Sequence, residues 1–150
     1  MGQVVAAAVY HQGRKVSDIE LREGSQWAAQ ADHFVWIGLQ QPDAAQLRSL
    51  QQQFGLHELA VEDAHHGHQR PKIEEYGDTV FVVMHLLEVE AGDITVGEVA
   101  IFVGPNFVLS VRNRSKQHFL GVRDRCEREP ELLSHGAGFV FYALMDAVVD

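Results

Sequence analysis

Short apolar runs, several of them alternating with polar residues, recur along most of the chain and predict β-strands. The predicted strands cover residues 4–10, 16–21, 33–39, 73–78 and 79–90, and a hairpin covers residues 96–113. Gly77-Asp78 separates the fourth and fifth runs as a turn or bulge, and Gly104-Pro105-Asn106 supplies the hairpin turn. Because these later strands follow one another closely, we expect an antiparallel meander in the middle of the chain.

Apolar residues at helical spacing lie between the early strands and dominate the last third of the chain. The predicted helices cover residues 26–31, 42–54, 56–64, 116–128, 130–133 and 139–150. Pro42 and Asp43 open the second helix and Gly55 ends it. The side chains that the third helix is expected to bury are Leu56, Leu59, Ala60 and Ala64. A loop of sequence HHGHQRP is predicted to follow it.

The chain of 150 residues shows no internal repeat and no low-complexity linker, so these elements predict one α/β domain. Its longest strictly apolar run, residues 139–145, is far shorter than the roughly 20 residues that span a bilayer. The N-terminal apolar run lacks a basic start, so no signal peptide is predicted. The last helix is still apolar at Asp150, and we therefore expect the natural chain to continue.

Composition narrows the functional classes. A hydrophobic content of 46% and a charged content of 22% are typical of a globular domain. The formal charge of −9 argues against nucleic acid and anionic membrane surfaces as partners. Cys126 is the only cysteine, so no disulfide can form within the chain, and its charged surroundings predict a half-exposed thiol in a reducing cytoplasm.

Two acidic pairs are the first candidates for chemistry. Glu62 and Asp63 are adjacent near the end of a predicted helix, where negative charge is unfavourable to the helix dipole. Asp146 and Asp150 lie four residues apart on the last helix, a repulsive spacing. Divalent cations such as Mg²⁺ prefer carboxylate oxygens, and a bound cation would offset both costs. The alternative interpretation is that both acidic pairs simply face water and bind no ion.

The residues around the first pair add further candidates. His65, His66 and His68 could bind zinc or nickel, although their predicted loop lacks the helical pairing or the cysteine partners of strong zinc motifs. Arg70-Pro71-Lys72 could clamp a substrate, but salt bridges to Glu74 and Glu75 that fix the loop to the sheet are favoured. No phosphate-binding loop and no Gly-x-Ser-x-Gly motif is present, so nothing predicts an enzyme.

Several blocks of the sequence resemble a known family. The segment FGLHELAVEDAHHGHQRPKIEEYGDTVFVVM is similar to the cytoplasmic domain of CorA-type divalent-cation transporters, in which the phrase FGLHPLxxED…HQRPKxExYxxxxFxV is typical. EVAIFVGPNFVLSVRN, FLGVRDRCEREPELL and GFVFYALMDAVVD continue the resemblance in the same order. It covers residues 36–150, and several separated blocks make chance similarity improbable.

The resemblance implies a mixed, largely antiparallel β-sheet sandwiched between helical layers and followed by the start of a long stalk helix. Members of the family assemble as homopentamers that conduct Mg²⁺, and often Co²⁺ or Ni²⁺, across the cell membrane. Divalent ions between neighbouring cytoplasmic domains hold the channel closed. By this resemblance Asp63 belongs to the main sensor site, Glu62 and Asp146 match a second ion site, and Asp150 supports the second.

Departures from the family keep two alternatives open. The Gly-Met-Asn pore motif and both membrane spans are missing, so these residues alone cannot conduct ions. We expect them to be monomeric or weakly dimeric without the stalk and to bind Mg²⁺, with Co²⁺, Ni²⁺ and Zn²⁺ as further candidates. A zinc-transporting relative and a soluble metal-binding regulatory module are the alternatives.

Overall fold

The computed structural model describes residues 3–67, 69–114 and 120–149, and within them seven strands form one sheet. The strands are β1 (Gln3–His11), β2 (Arg14–Asp18), β3 (His33–Gln40), β4 (Lys72–Tyr76), β5 (Thr79–Glu90), β6 (Asp93–Gly104) and β7 (Phe107–Asn113). Their spatial order is β2-β1-β3-β7-β6-β5-β4. The β3–β7 pair is parallel and the other neighbours are antiparallel. The predicted mixed, largely antiparallel sheet and its meander are therefore confirmed.

Helices cover both faces of this sheet. They are α1 (Gly24–Ala28), α2 (Ala44–Phe54), α3 (Glu58–His66), α4 (Leu120–Glu127), α5 (Pro130–Leu133) and α6 (Ala137–Val149), and a short 3-10 helix spans Leu21–Glu23. Leu50 of α2 and Ala60 of α3 lie in one buried cluster, whereas Cys126 of α4 and Val140 of α6 lie in another. The sheet is thus sandwiched between helical layers, as the resemblance implies.

The central strand β3 shows why both faces are apolar. Val35 and Ile37 belong to the cluster under α1–α3, and Phe34 and Trp36 belong to the cluster under α4–α6. Successive side chains of a strand point to opposite faces, so a strand covered on both sides becomes a continuous apolar run. The apolar run that predicted this strand therefore arises because β3 is covered by helices on both faces.

Helix α2 has the ends that its sequence predicts. The Asp43 side chain accepts a hydrogen bond of 2.8 Å from the Gln46 N–H, and Gln46 Oε1 accepts one of 3.0 Å from the Asp43 N–H. This reciprocal capping box satisfies two of the free N–H groups of the first turn. Gly55 ends the helix in the left-handed conformation with φ 62°.

Helix α3 differs from its prediction at both ends and on one face. It runs to His66, so His65 and His66 are helical and only the residues after them form the loop. Leu59, predicted to be buried, is 61% exposed, because the buried face is formed by Ala60, Val61 and Ala64. A helical face continues at spacings of three and four residues, and Leu59 lies outside that stripe.

Other helix and strand boundaries also differ from the predicted ones. The second strand ends at Asp18, before a 3-10 turn, and α1 lies two to three residues earlier than predicted. The prediction of a half-exposed Cys126 was wrong: its side chain is fully buried between α4 and the sheet. Residues 116–119 of the predicted helix and Asp150 lie outside the described residues. Among the described residues, no helix is both long and apolar enough to cross a membrane.

Candidate metal-binding carboxylates

The two acidic residues of α3 face different surroundings. The Asp63 side chain is 27% exposed and that of Glu62 is 58% exposed. Consecutive residues of an α-helix point about 100° apart, so adjacent carboxylates do not converge on one ion. Asp63 turns toward β4, whereas Glu62 turns toward solvent and α2. The two carboxylates of the pair therefore face separate surroundings.

Asp63 holds a cationic partner within the same chain. Lys72, the first residue of β4, places Nζ 2.7 Å from Asp63 Oδ2 and 3.0 Å from Glu74 Oε1. The hydrogen bond that Lys72 donates to Asp63 raises the pKa of the Lys72 ammonium, and Glu74 acts in the same direction. This overturns the expectation that Asp63 is unfavourable without a bound cation, because Lys72 supplies the compensating charge.

The two ends of α3 are both defined by specific contacts, and the first of them also joins the helix to the sheet. At the start, His57 Nδ1 accepts a hydrogen bond of 3.2 Å from the Leu59 N–H, and the His57 ring stacks on Tyr76 of β4 at 4.2 Å between centroids. At the end, the Gly67 N–H donates to the Asp63 carbonyl oxygen at 3.0 Å. Asp63 is consequently held by rigid elements rather than by a free loop.

The residues after α3 are tied to the sheet through a buried carboxylate. Glu98 of β6 is fully buried, and its Oε1 accepts a hydrogen bond of 2.9 Å from the Gln69 N–H. His85 Nε2 lies 2.7 Å from the Gln69 carbonyl oxygen and 3.9 Å from Glu98 Oε1. His85 thus contacts the Gln69 backbone and Glu98 from the neighbouring strand β5. Together with the Lys72 ion pairs, these contacts favour a scaffold role for residues 69–72.

Glu62 lines a groove of about 220 Å³ between α2 and α3, together with Arg48, Glu58 and His65. His66 Nε2 lies 3.8 Å from Glu62 Oε1, one helical turn away. Because α3 extends to His66, Glu62 and His66 form a helical i, i+4 pair that the predicted loop did not provide. Among the described residues, this pair and His65 belong to no complete metal-ligand set. His68, the third histidine of the predicted zinc alternative, lies outside the described residues.

Asp146 lies on α6, on the opposite side of the sheet from α3. Arg125 Nη1 of α4 is 3.3 Å from Asp146 Oδ2. This hydrogen bond raises the pKa of Arg125. Within one chain the sheet separates Asp146 from Glu62 and Asp63, and Asp150, its predicted neighbour, lies outside the described residues.

These positions define what the carboxylates can do chemically. Among the described residues, no group of three or more His, Cys, Asp or Glu side chains could hold a metal ion. The individual donors are nevertheless suitable for Mg²⁺, which binds through one or two carboxylates and keeps several of its waters. Asp63, Glu62 and Asp146 each remain accessible to solvent in part.

Sequence reasoning missed the two basic partners, Lys72 and Arg125. A sequence signal existed for Lys72, because a cation placed shortly after an acidic helix end can fold back onto it. The sequence interpretation paired Arg70-Pro71-Lys72 with Glu74 and Glu75 instead. Arg125 is 21 residues from Asp146, and no spacing rule connects residues on separate helices.

Comparison with known proteins identifies the family. Residues 31–150 match the family described as CorA-like Mg2+ transporter protein. The chain belongs to this family. The match agrees with the resemblance over residues 36–150 and confirms it.

Two curated relatives support this assignment. The chain is 32% identical over 117 residues to the putative metal ion transporter YfjQ of Bacillus subtilis, a match that covers 78% of this chain and 36% of YfjQ. It is 30% identical over 100 residues to the cobalt/magnesium transport protein CorA of Thermotoga maritima, covering 65% of this chain and 28% of that protein. The chain therefore spans about a third of the length of these relatives.

Solved structures share the fold at low sequence identity. The full-length CmaX protein matches with a TM-score of 0.73 at 16% identity, covering 98% of this chain and 45% of CmaX. The soluble domain of CorA from Methanocaldococcus jannaschii matches with 0.64 at 18% identity, over 96% and 56% of the two chains. The ZntB cytoplasmic domain from Vibrio parahaemolyticus matches with 0.61 at 8% identity, over 77% and 47%.

Proposed function

We propose that this chain is the cytoplasmic divalent-cation-sensing and gating domain of a CorA-like Mg²⁺/Co²⁺ transport channel. Membership of the CorA-like family supports the transport context. The observation that carries the sensing role is the placement of the candidate carboxylates, which lie on opposite sides of one sheet and remain partly exposed. In this proposal the domain faces the cytoplasm, beside the membrane that the rest of the protein crosses.

Opposite placement suits a ring of identical subunits. In a heterologous interface, one surface of a subunit meets a different surface of the next subunit. When the rotation between neighbours brings the last subunit back to the first, the assembly is a closed ring. Asp63 and Glu62 of one subunit would then face the α6 side of its neighbour, where Asp146 lies. A homopentamer of this kind places a hydrated Mg²⁺ between subunits, although each subunit supplies few ligands.

A cation at such an interface favours the assembled, closed arrangement. It binds the closed state more tightly than a state in which the neighbouring carboxylates have separated, so its loss shifts the population toward opening. Few carboxylates, of which Asp63 and Asp146 have intrachain basic partners, give the weak affinity that a sensor of an abundant cytosolic ion requires. The domain itself performs no catalysis in this proposal.

The test is an NMR titration of the chain with Mg²⁺, with Mn²⁺ as a paramagnetic probe of the same sites. We expect Mn²⁺ to broaden the amides around Asp63 and Asp146, and Mg²⁺ to reverse the broadening by competition. Asp63→Asn should remove the effect on α3. Asp93→Asn is the matched control, because Asp93 is an exposed carboxylate at the first residue of β6. Broadening that is unaffected by Asp63→Asn would contradict the assignment of this residue.

Zinc transport is a second candidate, favoured by the helical Glu62–His66 pair. The fold shared with the ZntB cytoplasmic domain is consistent with it. Imidazole nitrogen suits Zn²⁺ better than Mg²⁺. Titration with Mg²⁺, Co²⁺, Ni²⁺ and Zn²⁺ on the wild type and on a His65→Ala, His66→Ala variant separates the two. Zn²⁺ binding that is tighter than Mg²⁺ binding and is lost in that variant would favour the zinc alternative.

A further inference from the structure

Lys72 lies between two carboxylates on the surface that α3 shares with β4. Its Nζ is 2.7 Å from Asp63 Oδ2 and 3.0 Å from Glu74 Oε1. Lys72 and Glu74 are two residues apart on one strand, so both side chains point to the same face. The side chains of Lys72, Asp63 and Glu74 are 30%, 27% and 38% exposed, which leaves the group open to ions from solvent.

We propose that Lys72 is a built-in competitor of the divalent cation at Asp63. In the cation-free domain its ammonium occupies Asp63 Oδ2, and when a divalent cation binds Asp63, the ammonium remains paired with Glu74. This inference rests on the proposed function of Asp63 as a cation ligand. It assigns to Lys72 the role of setting the affinity and the charge selectivity of the site.

Competition follows from the geometry and the charges. An ammonium at 2.7 Å occupies the coordination space of the same oxygen that an inner-sphere Mg²⁺ would approach to about 2.0–2.1 Å. The two positive charges also repel each other at such a short separation. Lys72 must therefore leave Oδ2 before that oxygen can ligate the ion.

Glu74 makes the exchange feasible. A lysine ammonium is a compact charge with three donors on a flexible stem, so it can leave one carboxylate while keeping another. Lys72 already contacts Glu74, and its departure from Asp63 leaves no unpaired cation behind. The Lys72 ammonium also lies 5.9 Å from the centre of the Phe81 ring, which supports it from the sheet side.

Charge selectivity is the functional consequence. A monovalent cation carries the same charge as the ammonium that it must displace and offers little gain at Asp63. A divalent cation interacts with the carboxylate about twice as strongly by Coulomb's law, so it can displace the ammonium. The site would therefore not bind Na⁺ or K⁺ at concentrations at which a carboxylate without a lysine partner binds them weakly.

The experiment is an NMR titration of the chain with Mg²⁺, read at the Asp63 carboxyl carbon and at the Lys72 Nζ nitrogen. In the wild type, both signals should move together along one binding curve, because cation binding releases the ammonium. An Asp63 signal that moves while Lys72 Nζ stays unchanged would overturn the competitor role without any variant being needed.

Two variants give opposite expected results. Lys72→Gln removes the competitor and should tighten Mg²⁺ binding about two- to fivefold, the range expected for a partly exposed ion pair. Glu74→Gln removes the alternative partner of Lys72 and should weaken Mg²⁺ binding. Arg70→Gln is the matched control for charge, because Arg70 is an exposed cation two residues before Lys72. Equal tightening in Arg70→Gln and Lys72→Gln would refute direct competition.

Asp63→Asn separates the two proposals. If this variant leaves the Mg²⁺ titration unchanged, or if Mg²⁺ does not move the wild-type Asp63 signal, the proposed cation-binding function of Asp63 fails. If Asp63→Asn abolishes binding but Lys72→Gln changes it no more than Arg70→Gln does, only the competitor role fails. The amide spectrum of each variant reports whether it has kept the fold.

Discussion

The Tyr10 hydroxyl donates a hydrogen bond of 2.6 Å to Glu127 Oε2, joining β1 to α4 across 117 residues. Arg123 completes the contact, since its Nη1 donates to the Tyr10 oxygen at 3.2 Å and its guanidinium lies 4.1 Å from the Trp36 ring. Tyr10 is fully buried, so its hydroxyl depends on these partners. This network attaches the helical layer that contains Asp146 to the sheet.

Tyr10→Phe should lower the free energy of unfolding by about 1.5–3 kcal/mol, the range for a hydrogen bond to a charged group. The loss arises because Glu127 and Arg123 keep their charges and lose a shared partner. Urea denaturation measures it. Tyr142→Phe is the control, since Tyr142 is 58% exposed. Equal stability of the two variants would show that the network contributes nothing.

The same tyrosine predicts an alkaline limit to stability. Burial raises the pKa of the Tyr10 hydroxyl well above its ordinary value, and the contact with Glu127 acts in the same direction. Its contribution is fully present below an unfolded pKa of about 10 and is lost as the pH rises toward the folded pKa. We expect the free energy of unfolding to fall above pH 10 by this contribution in the wild type but not in Tyr10→Phe. Identical alkaline profiles would contradict it.

Gly67 is required where α3 ends. Its φ of 70° and ψ of −162° lie in a region that is essentially restricted to glycine, and an added Cβ would lie 2.8 Å from Arg114 Nη1. Gly67→Ala should cost about 1–3 kcal/mol from backbone strain alone. Gly77→Ala is the control, because Gly77 also has positive φ but no atom lies within 4 Å of an added Cβ. Thermal unfolding should show the larger loss for Gly67→Ala.

The sequence predicts most of the fold because both sheet faces and the helix caps leave local signals. Alternation or apolar runs mark the strands, and Asp43 and Gly55 mark α2. Leu59 shows the limit of such patterns. The sequence alone cannot distinguish an apolar residue beside the buried stripe from one within it, because the distinction depends on which face of the helix packs against the sheet.

The candidate site was less predictable because its chemistry depends on tertiary pairing. The carboxylates could be found from type and spacing, but their partners could not. Arg125 reaches Asp146 from another helix, and no local rule specifies the contact. An argument from local charge alone therefore treated both acidic residues as uncompensated, whereas the fold compensates both.

Cys126 gives a last prediction, on reactivity. Its side chain is fully buried, and burial raises the pKa of the thiol to about 11. Because the thiolate is the reactive form, native Cys126 should resist alkylation at pH 8 and react only when the domain unfolds. Iodoacetamide labelling followed by mass spectrometry across a urea gradient should give a midpoint that coincides with global unfolding. Rapid labelling of the native protein would instead show local opening of α4, the helix whose Arg125 holds Asp146.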